Sequence, residues 1–120
     1  MKPFEDYKLS MEEIHHTEKK DAPSGTAVKL AEDLISETSN SFENWNLGIE
    51  RKENSIPIQA IREEGVPGTH TVKYESDIDF IEISHEAKSR KGFAIGALRA
   101  AEFIQDKTGY FTMDDLLSLK

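Results

Sequence analysis

The run His15-His16-Thr17-Glu18-Lys19-Lys20-Asp21-Ala22-Pro23-Ser24-Gly25-Thr26-Ala27 crowds proton carriers and anion holders into one short segment. A histidine titrates near neutrality, so His15 or His16 can pass a proton to or from a bound molecule, and Lys19, four residues after His15, can supply a proton or hold a negative group. Asp21, in the loop before Pro23, can orient a lysine or a turn amide. Ser24-Gly25-Thr26 stands where an amphipathic helical pattern begins, and offers free backbone amides, two hydroxyls and the positive end of a helix dipole. Gly25 lets an anion come close to that backbone. A carboxylate suits this chemistry. Taken singly, each residue is also what a solvated strand end and an ordinary Ser or Thr helix cap would carry, and it is their succession that argues for a site.

Paired histidines invite a metal reading, which the spacing disfavours. Neighbouring residues of a strand point to opposite faces, so His15 and His16 cannot share an ion without breaking it, and there is no cysteine to complete a set. His70 and His85 could converge, but neither has the usual ligand spacing, and both read as packed or surface strand residues. No metal site is expected. Arg90 and Phe93, just ahead of a strongly apolar helix, pair a cation with an aromatic ring and could clasp a phosphate or a flat ring.

These residues must be positioned by the elements around them. Residues 7–17 alternate loosely, with Leu9 and Met11 on the face of His15, and predict a strand. The turn-formers of KKDAPSG end it, and Ala27, Leu30, Ala31, Leu34 and Ile35 then recur at helical spacing, with Ser24 as N-cap. The polar SETSNSFENWN reads as a loop. Residues 56–64, 69–76 and 79–87 read as three strands, joined by GVPG and SDID in an antiparallel meander. Residues 92–105 are helical by pattern and apolar almost all round, so that helix needs cover on more than one side. TMDD caps a last short helix carrying Leu116, Leu117 and Leu119.

With 120 residues and 37% hydrophobic content, the chain fits one domain with one core. A net charge of −8 and a pI near 5.0 oppose binding to nucleic acid or to an anionic membrane, so any anion site must be local. MKPFEDYKLS lacks the apolar run of a signal peptide, and no stretch of ~18 apolar residues could span a bilayer. A cytoplasmic location is expected.

HHTEKKDAPSGTA closely resembles the signature of dihydrodipicolinate reductases, the bacterial and plant enzymes of the diaminopimelate route to lysine. That signature is His-His, two variable positions, Lys, one variable position, and Asp-Ala-Pro-Ser-Gly-Thr-Ala, and every fixed position is matched. REEGVPGTHTV, ISHEAKSRKGFAIGALRAA and GYFTMDDLL resemble the segments that follow in that family. The resemblance implies His15 as general acid/base, Lys19 as proton donor, His16 as a substrate contact, and Gly25 with Thr26, assisted by Ser24, as the cradle for one carboxylate of a cyclic dicarboxylic imine. It places Arg90 and Phe93 at the cofactor side of the cleft. It implies reduction of (hydroxy-)dihydrodipicolinate to tetrahydrodipicolinate by hydride from NADPH or NADH, in a homotetramer.

Glu18 departs from the basic residues common at its position in relatives and could pair with Lys19 or Lys20. The family also carries an N-terminal Rossmann domain with a glycine-rich pyrophosphate loop, and no Gly-x-Gly-x-x-Gly run occurs here. The expectation is therefore an α+β C-terminal substrate-binding and oligomerisation domain spanning residues 1–120. It would hold a mixed sheet of about four strands, one long helix and C-terminal helices, and would turn over nothing without its dinucleotide-binding domain. The rival expectation is a carboxylate-binding or oligomerisation module that has lost catalysis.

Overall fold

A computed structural model describes residues 6–38 and 41–119. The chain forms two compact units that divide after Glu86. The first holds strands β1 (Lys8–His15), β2 (Asn44–Leu47), β3 (Ser55–Arg62), β4 (Thr69–Glu75) and β5 (Phe80–Glu86) and helix α1 (Gly25–Glu37); the second holds α2 (Lys91–Ile104) and α3 (Met113–Leu117).

The strands make one five-stranded sheet in the order β2-β3-β1-β4-β5. β2, β3 and β1 run parallel, whereas β4 and β5 are antiparallel to their neighbours. Parallel neighbours need a long crossover, and α1 with β2 supplies it between β1 and β3. The alternation of β1 sends Leu9, Met11, Glu13 and His15 to the buried face, so that one row of side chains changes from apolar to polar towards the strand's C-terminal end. Leu9 and Met11, Ile56 and Ile58 of β3, Val72 of β4 and Ala27 and Ala31 of α1 make the core. The small alanines let the helix backbone lie close to the sheet, and Leu30, Leu34 and Ile35 flank them in partial burial.

Two sequence expectations are corrected. The Ser/Asn-rich stretch contains a fifth strand, β2, which adds to β3 in parallel with Asn46 beside Pro57. Polar composition hid it, yet Phe42 and Trp45 pack against the core, and Ser55 Oγ donates to Asn46 Oδ1 at 2.6 Å. The strands on either side of GVPG are not a hairpin either: β1 lies between β3 and β4 and bonds to both. A short connection can span one intervening strand as readily as it can turn a hairpin, so length alone did not separate the two. The β4–β5 hairpin does form, closed by Ser76, whose Oγ accepts from the amides of Ile78 and Asp79, both at 3.2 Å.

In the second unit, α2 buries none of its residues, and Phe93, Ile95 and Leu98 are exposed. Phe103 and Phe111 meet edge to face with centroids 5.9 Å apart. Thr112 caps α3 reciprocally with Asp115, whose carboxylate accepts from the Thr112 amide at 2.7 Å. Among the described residues no helix is long and apolar enough to cross a membrane.

Ile58 is fully buried at the centre of the sheet, beside Met11 of β1 and Leu47 of β2. Ile58→Ala is expected to lower unfolding stability by about 2–5 kcal/mol, measured by urea denaturation. A loss below about 1 kcal/mol would show that the core lies elsewhere.

Candidate active site

The sequence-predicted residues from His15 to Thr26 gather where β1 ends and α1 begins. His15 is the last residue of β1, and its carbonyl accepts the Glu63 amide at 2.8 Å. The chain turns at once, the Lys19 amide donating to the His16 carbonyl at 3.2 Å, and crosses to Ser24, the N-cap of α1. Ser24 Oγ accepts from the Ala27 amide at 3.2 Å, as the Ser-Gly-Thr pattern predicted. Gly25 and Thr26 are exposed, and a methyl group built on Gly25 would touch nothing within 4 Å, so the helix start is open on that side.

Strand register assembles the rest. Glu13 pairs across to His70 of β4, and His15 pairs with Arg62 of β3, so these four side chains stand on one face in two adjacent rows. Glu13 is fully buried. Its Oε1 accepts from Arg62 Nη1 at 2.6 Å, and its Oε2 accepts from the Ser24 amide at 3.2 Å. The same Oε2 lies 2.8 Å from His15 Nδ1, but off the axis a ring N–H would need for a hydrogen bond. His70 meets the His15 ring edge-on, with centroids 5.0 Å apart, and its Nε2 is 3.1 Å from Ser24 Oγ.

Arg62 also ties down the loop. Its Nη2 donates to the Asp21 carbonyl at 2.6 Å and its Nε to the Lys19 carbonyl at 3.3 Å. Lys19 Nζ lies 3.2 Å from Asp21 Oδ1, so the lysine is paired with Asp21, which holds the Asp21 carboxyl below its usual range. The neighbouring Gly68 has a separate part: a Cβ there would come within 3.0 Å of His15 Nε2, so glycine keeps that nitrogen clear.

His15, Lys19, Ser24, Gly25 and Thr26 thus belong to one strand-loop-helix unit, with His16 half-buried beside them. Arg90 and Phe93 lie in the second unit, Arg90 as the N-cap residue of α2 and Phe93 exposed in its first turn. Sequence reasoning missed Glu13, Arg62 and Gly68 and treated His70 as packing. The parity of Leu9, Met11, Glu13 and His15, and of Ile56, Ile58, Ala60 and Arg62, was the available signal.

Glu13, His15 and His70 present ligand atoms within 4.8 Å of one another. Arg62 already neutralises that carboxylate, and an ion would have to displace both the guanidinium and the Ser24 amide, so the trio fits a hydrogen-bonded ionic cluster better than a metal centre.

Burial pushes the His15 pKa down, and Lys19 and Arg62 add to this against the opposing pull of Glu13. His70 is likewise lowered, first by burial and then by His15. Burial alone would raise Glu13, but Ser24, Arg62 and His15 together hold it below the ordinary carboxylate value. For the histidines, the unfolded chain binds more protons than the folded one below the ordinary value of 6.5. Their contribution to stability is therefore complete above that pH and is lost as pH falls towards the lower folded values. The urea midpoint is expected to fall between pH 7.5 and 5.5, and His70→Asn should flatten that slope; a midpoint that rises on acidification would contradict the assignment.

The family described as dihydrodipicolinate reductase, C-terminus, matches residues 1–117. The 4-hydroxy-tetrahydrodipicolinate reductase of Christiangramia forsetii is 58% identical over 118 residues, covering 98% of this chain and 48% of the relative. The enzymes of the same name from Clostridium perfringens and Methanococcoides burtonii are 40% and 44% identical, over 97% of this chain and 48% and 45% of their own lengths. The chain therefore spans about half the length of the curated relatives it matches. A solved dipicolinate-bound dihydrodipicolinate reductase from Paenisporosarcina sp. TG-14 shares the fold, with a TM-score of 0.62 and 22% identity over 81% of this chain and 39% of that one. On the match that runs through both of its units, the chain belongs to the dihydrodipicolinate reductase C-terminal family.

Proposed function

We propose that this chain is the substrate-binding and proton-transferring part of an NAD(P)H-dependent reductase that converts (hydroxy-)dihydrodipicolinate to tetrahydrodipicolinate in lysine biosynthesis. The observation that carries the reading is the meeting of a buried imidazole with an open helix start: His15 and Ser24 share the carboxylate of Glu13, and Gly25 and Thr26 stand free beside them. The Paenisporosarcina protein holds dipicolinate, a flat ring with two carboxylates, and such a ligand matches the chemistry of this corner.

In this reading one ring carboxylate lies on the amides of Gly25 and Thr26, where the helix dipole and unpaired N–H groups favour an anion, with Ser24 and His16 alongside. The net charge of −8 makes Lys19, the cation of the loop, important for holding a dianion, since Arg62 is already balanced by Glu13. NADH or NADPH, when bound, supplies hydride to a ring carbon. His15 and Lys19 carry the balancing proton to the ring, so dihydrodipicolinate gains one hydride and one proton in total, and the hydroxylated form loses its hydroxyl as water besides. Fixing the ring by its carboxylates is itself a large part of the rate, since it converts an encounter into a defined geometry.

Among the described residues β1 passes to α1 through a Pro-containing loop, not through the tight glycine turn that cradles a pyrophosphate. The dinucleotide is accordingly assigned mainly to an N-terminal Rossmann domain. Arg90 and Phe93 are the cofactor-side contacts this chain contributes. Homotetramer formation in the cytoplasm completes the reading, and it is supported by the exposed apolar residues of β5, Phe80, Ile81 and Ile83, which a monomer would leave in water.

The chain alone is expected to oxidise no NADPH in the presence of substrate. Joined to the part of the Christiangramia relative that it does not cover, it should become an active reductase, and His15→Ala or Lys19→Ala should each lower its turnover ~10²-fold or more. Near-normal turnover in both variants would remove these residues from proton transfer. Gly68→Ala should lower turnover of the fusion as well, because the added methyl must press on His15 Nε2 from 3.0 Å.

A further inference from the structure

The motif that runs from His15 to Ala27 leaves unexplained the most deeply buried charge of the first unit. Glu13 lies two residues before His15, on the same strand face and fully buried, and it touches no solvent through which it could act by itself. Each of its contacts leads to a different part of the site: Arg62 at one oxygen, the Ser24 amide and the His15 ring at the other. We propose that Glu13 is the positioning residue of this site, holding His15 as the tautomer with hydrogen on Nδ1 and Nε2 free, and fixing the Lys19 loop through Arg62.

This inference rests on the reading of His15 as a proton carrier and adds the group that sets which nitrogen does the work. A ring nitrogen lone pair 2.8 Å from a carboxylate oxygen is repelled, whereas a hydrogen on that nitrogen is attracted. Because the oxygen sits off the ring axis, the preference comes from the field of the carboxylate more than from a directed bond. The opposite nitrogen, Nε2, faces Gly68, the position where any side chain would crowd it. A carboxylate on one side of the ring and a position without a side chain on the other together define a working end.

Arg62 extends the effect to Lys19. Its remaining donors go to backbone carbonyls of Ile61, Lys19 and Asp21, two of them in the loop that carries the second proton carrier. An ion pair placed only to join two strands would not need to reach that loop. The groups facing His15 are Glu13 from its own strand, Arg62 from β3, His70 from β4 and Lys19 from the loop, and Glu13 is the one anion among them.

The test uses the 120-residue chain labelled with 15N and needs no substrate. Ring nitrogen shifts and two-bond proton couplings of His15 at pH 7.5 should show Nδ1 protonated and Nε2 bare. Glu13→Gln should move the ring towards the Nε2–H form and shift its titration midpoint to lower pH, because the anion favouring the imidazolium is gone. Glu13→Asp, which keeps the charge but withdraws it by one methylene, should also lose the tautomer preference and decides the matter if Glu13→Gln does not fold. Wild-type His15 found with its hydrogen on Nε2 would overturn the proposal, as would an unchanged tautomer in either folded variant. Adding dipicolinate to the same samples reports the substrate reading separately, so failure of one is distinguishable from failure of the other.

Discussion

A carboxylate withdrawn from water must be compensated, and most of the first unit's polar architecture follows from where Glu13 finds its partners. Removing an ionised group from solvent costs several kcal/mol, and a buried pair persists only when its geometry is good and its remaining lone pairs are satisfied. Glu13 meets that requirement with a guanidinium, a helix-cap amide and an imidazole. Those partners come from β3, the start of α1 and the end of β1, so one electrostatic demand draws three elements to a point. The interaction also explains why the buried face of β1 can leave the apolar pattern of Leu9 and Met11 without losing order.

The same point is where an anion would be received. A helix N-terminus by itself is common; here it is capped by a serine whose hydroxyl also reaches His70 and whose amide is bound by Glu13. The cap is therefore rigidly joined to the imidazole pair, while Gly25 and Thr26 stay open outside it. Rigid inner groups and open outer amides are what a site needs to hold a small dianion in a fixed pose. The strongly acidic chain would repel such a ligand elsewhere, which would favour the corner where Lys19 lies.

Much of this was legible in the sequence. The spacing of Ala27, Leu30, Ala31, Leu34 and Ile35 specified α1 and its buried stripe, and Ser24 announced its cap. β2 was not legible, because its asparagines read as loop while Trp45 alone could not outweigh them. Strand order was not legible either: β1 inserts between β3 and β4, and such non-local pairing leaves no mark in a linker. Within the site, residue types revealed His15, Lys19 and the Ser-Gly-Thr start, but nothing in their residue types marked Glu13 and Arg62. Only parity along their strands placed them inside, and parity becomes decisive only when the neighbours that neutralise them are known. Gly68 could not have been told from a turn glycine until its distance to the His15 ring was seen.

The central claim is that a small dicarboxylate binds at the start of α1 beside His15. Its most direct test is the amide spectrum of the 15N-labelled chain as dipicolinate is added, with benzoate as the single-carboxylate control. The account predicts saturable shifts at Gly25 and Thr26, accompanied by the His15 ring and weaker or absent with benzoate. Shifts scattered over other surfaces, or unchanged Gly25 and Thr26 amides at saturating dipicolinate, would contradict it.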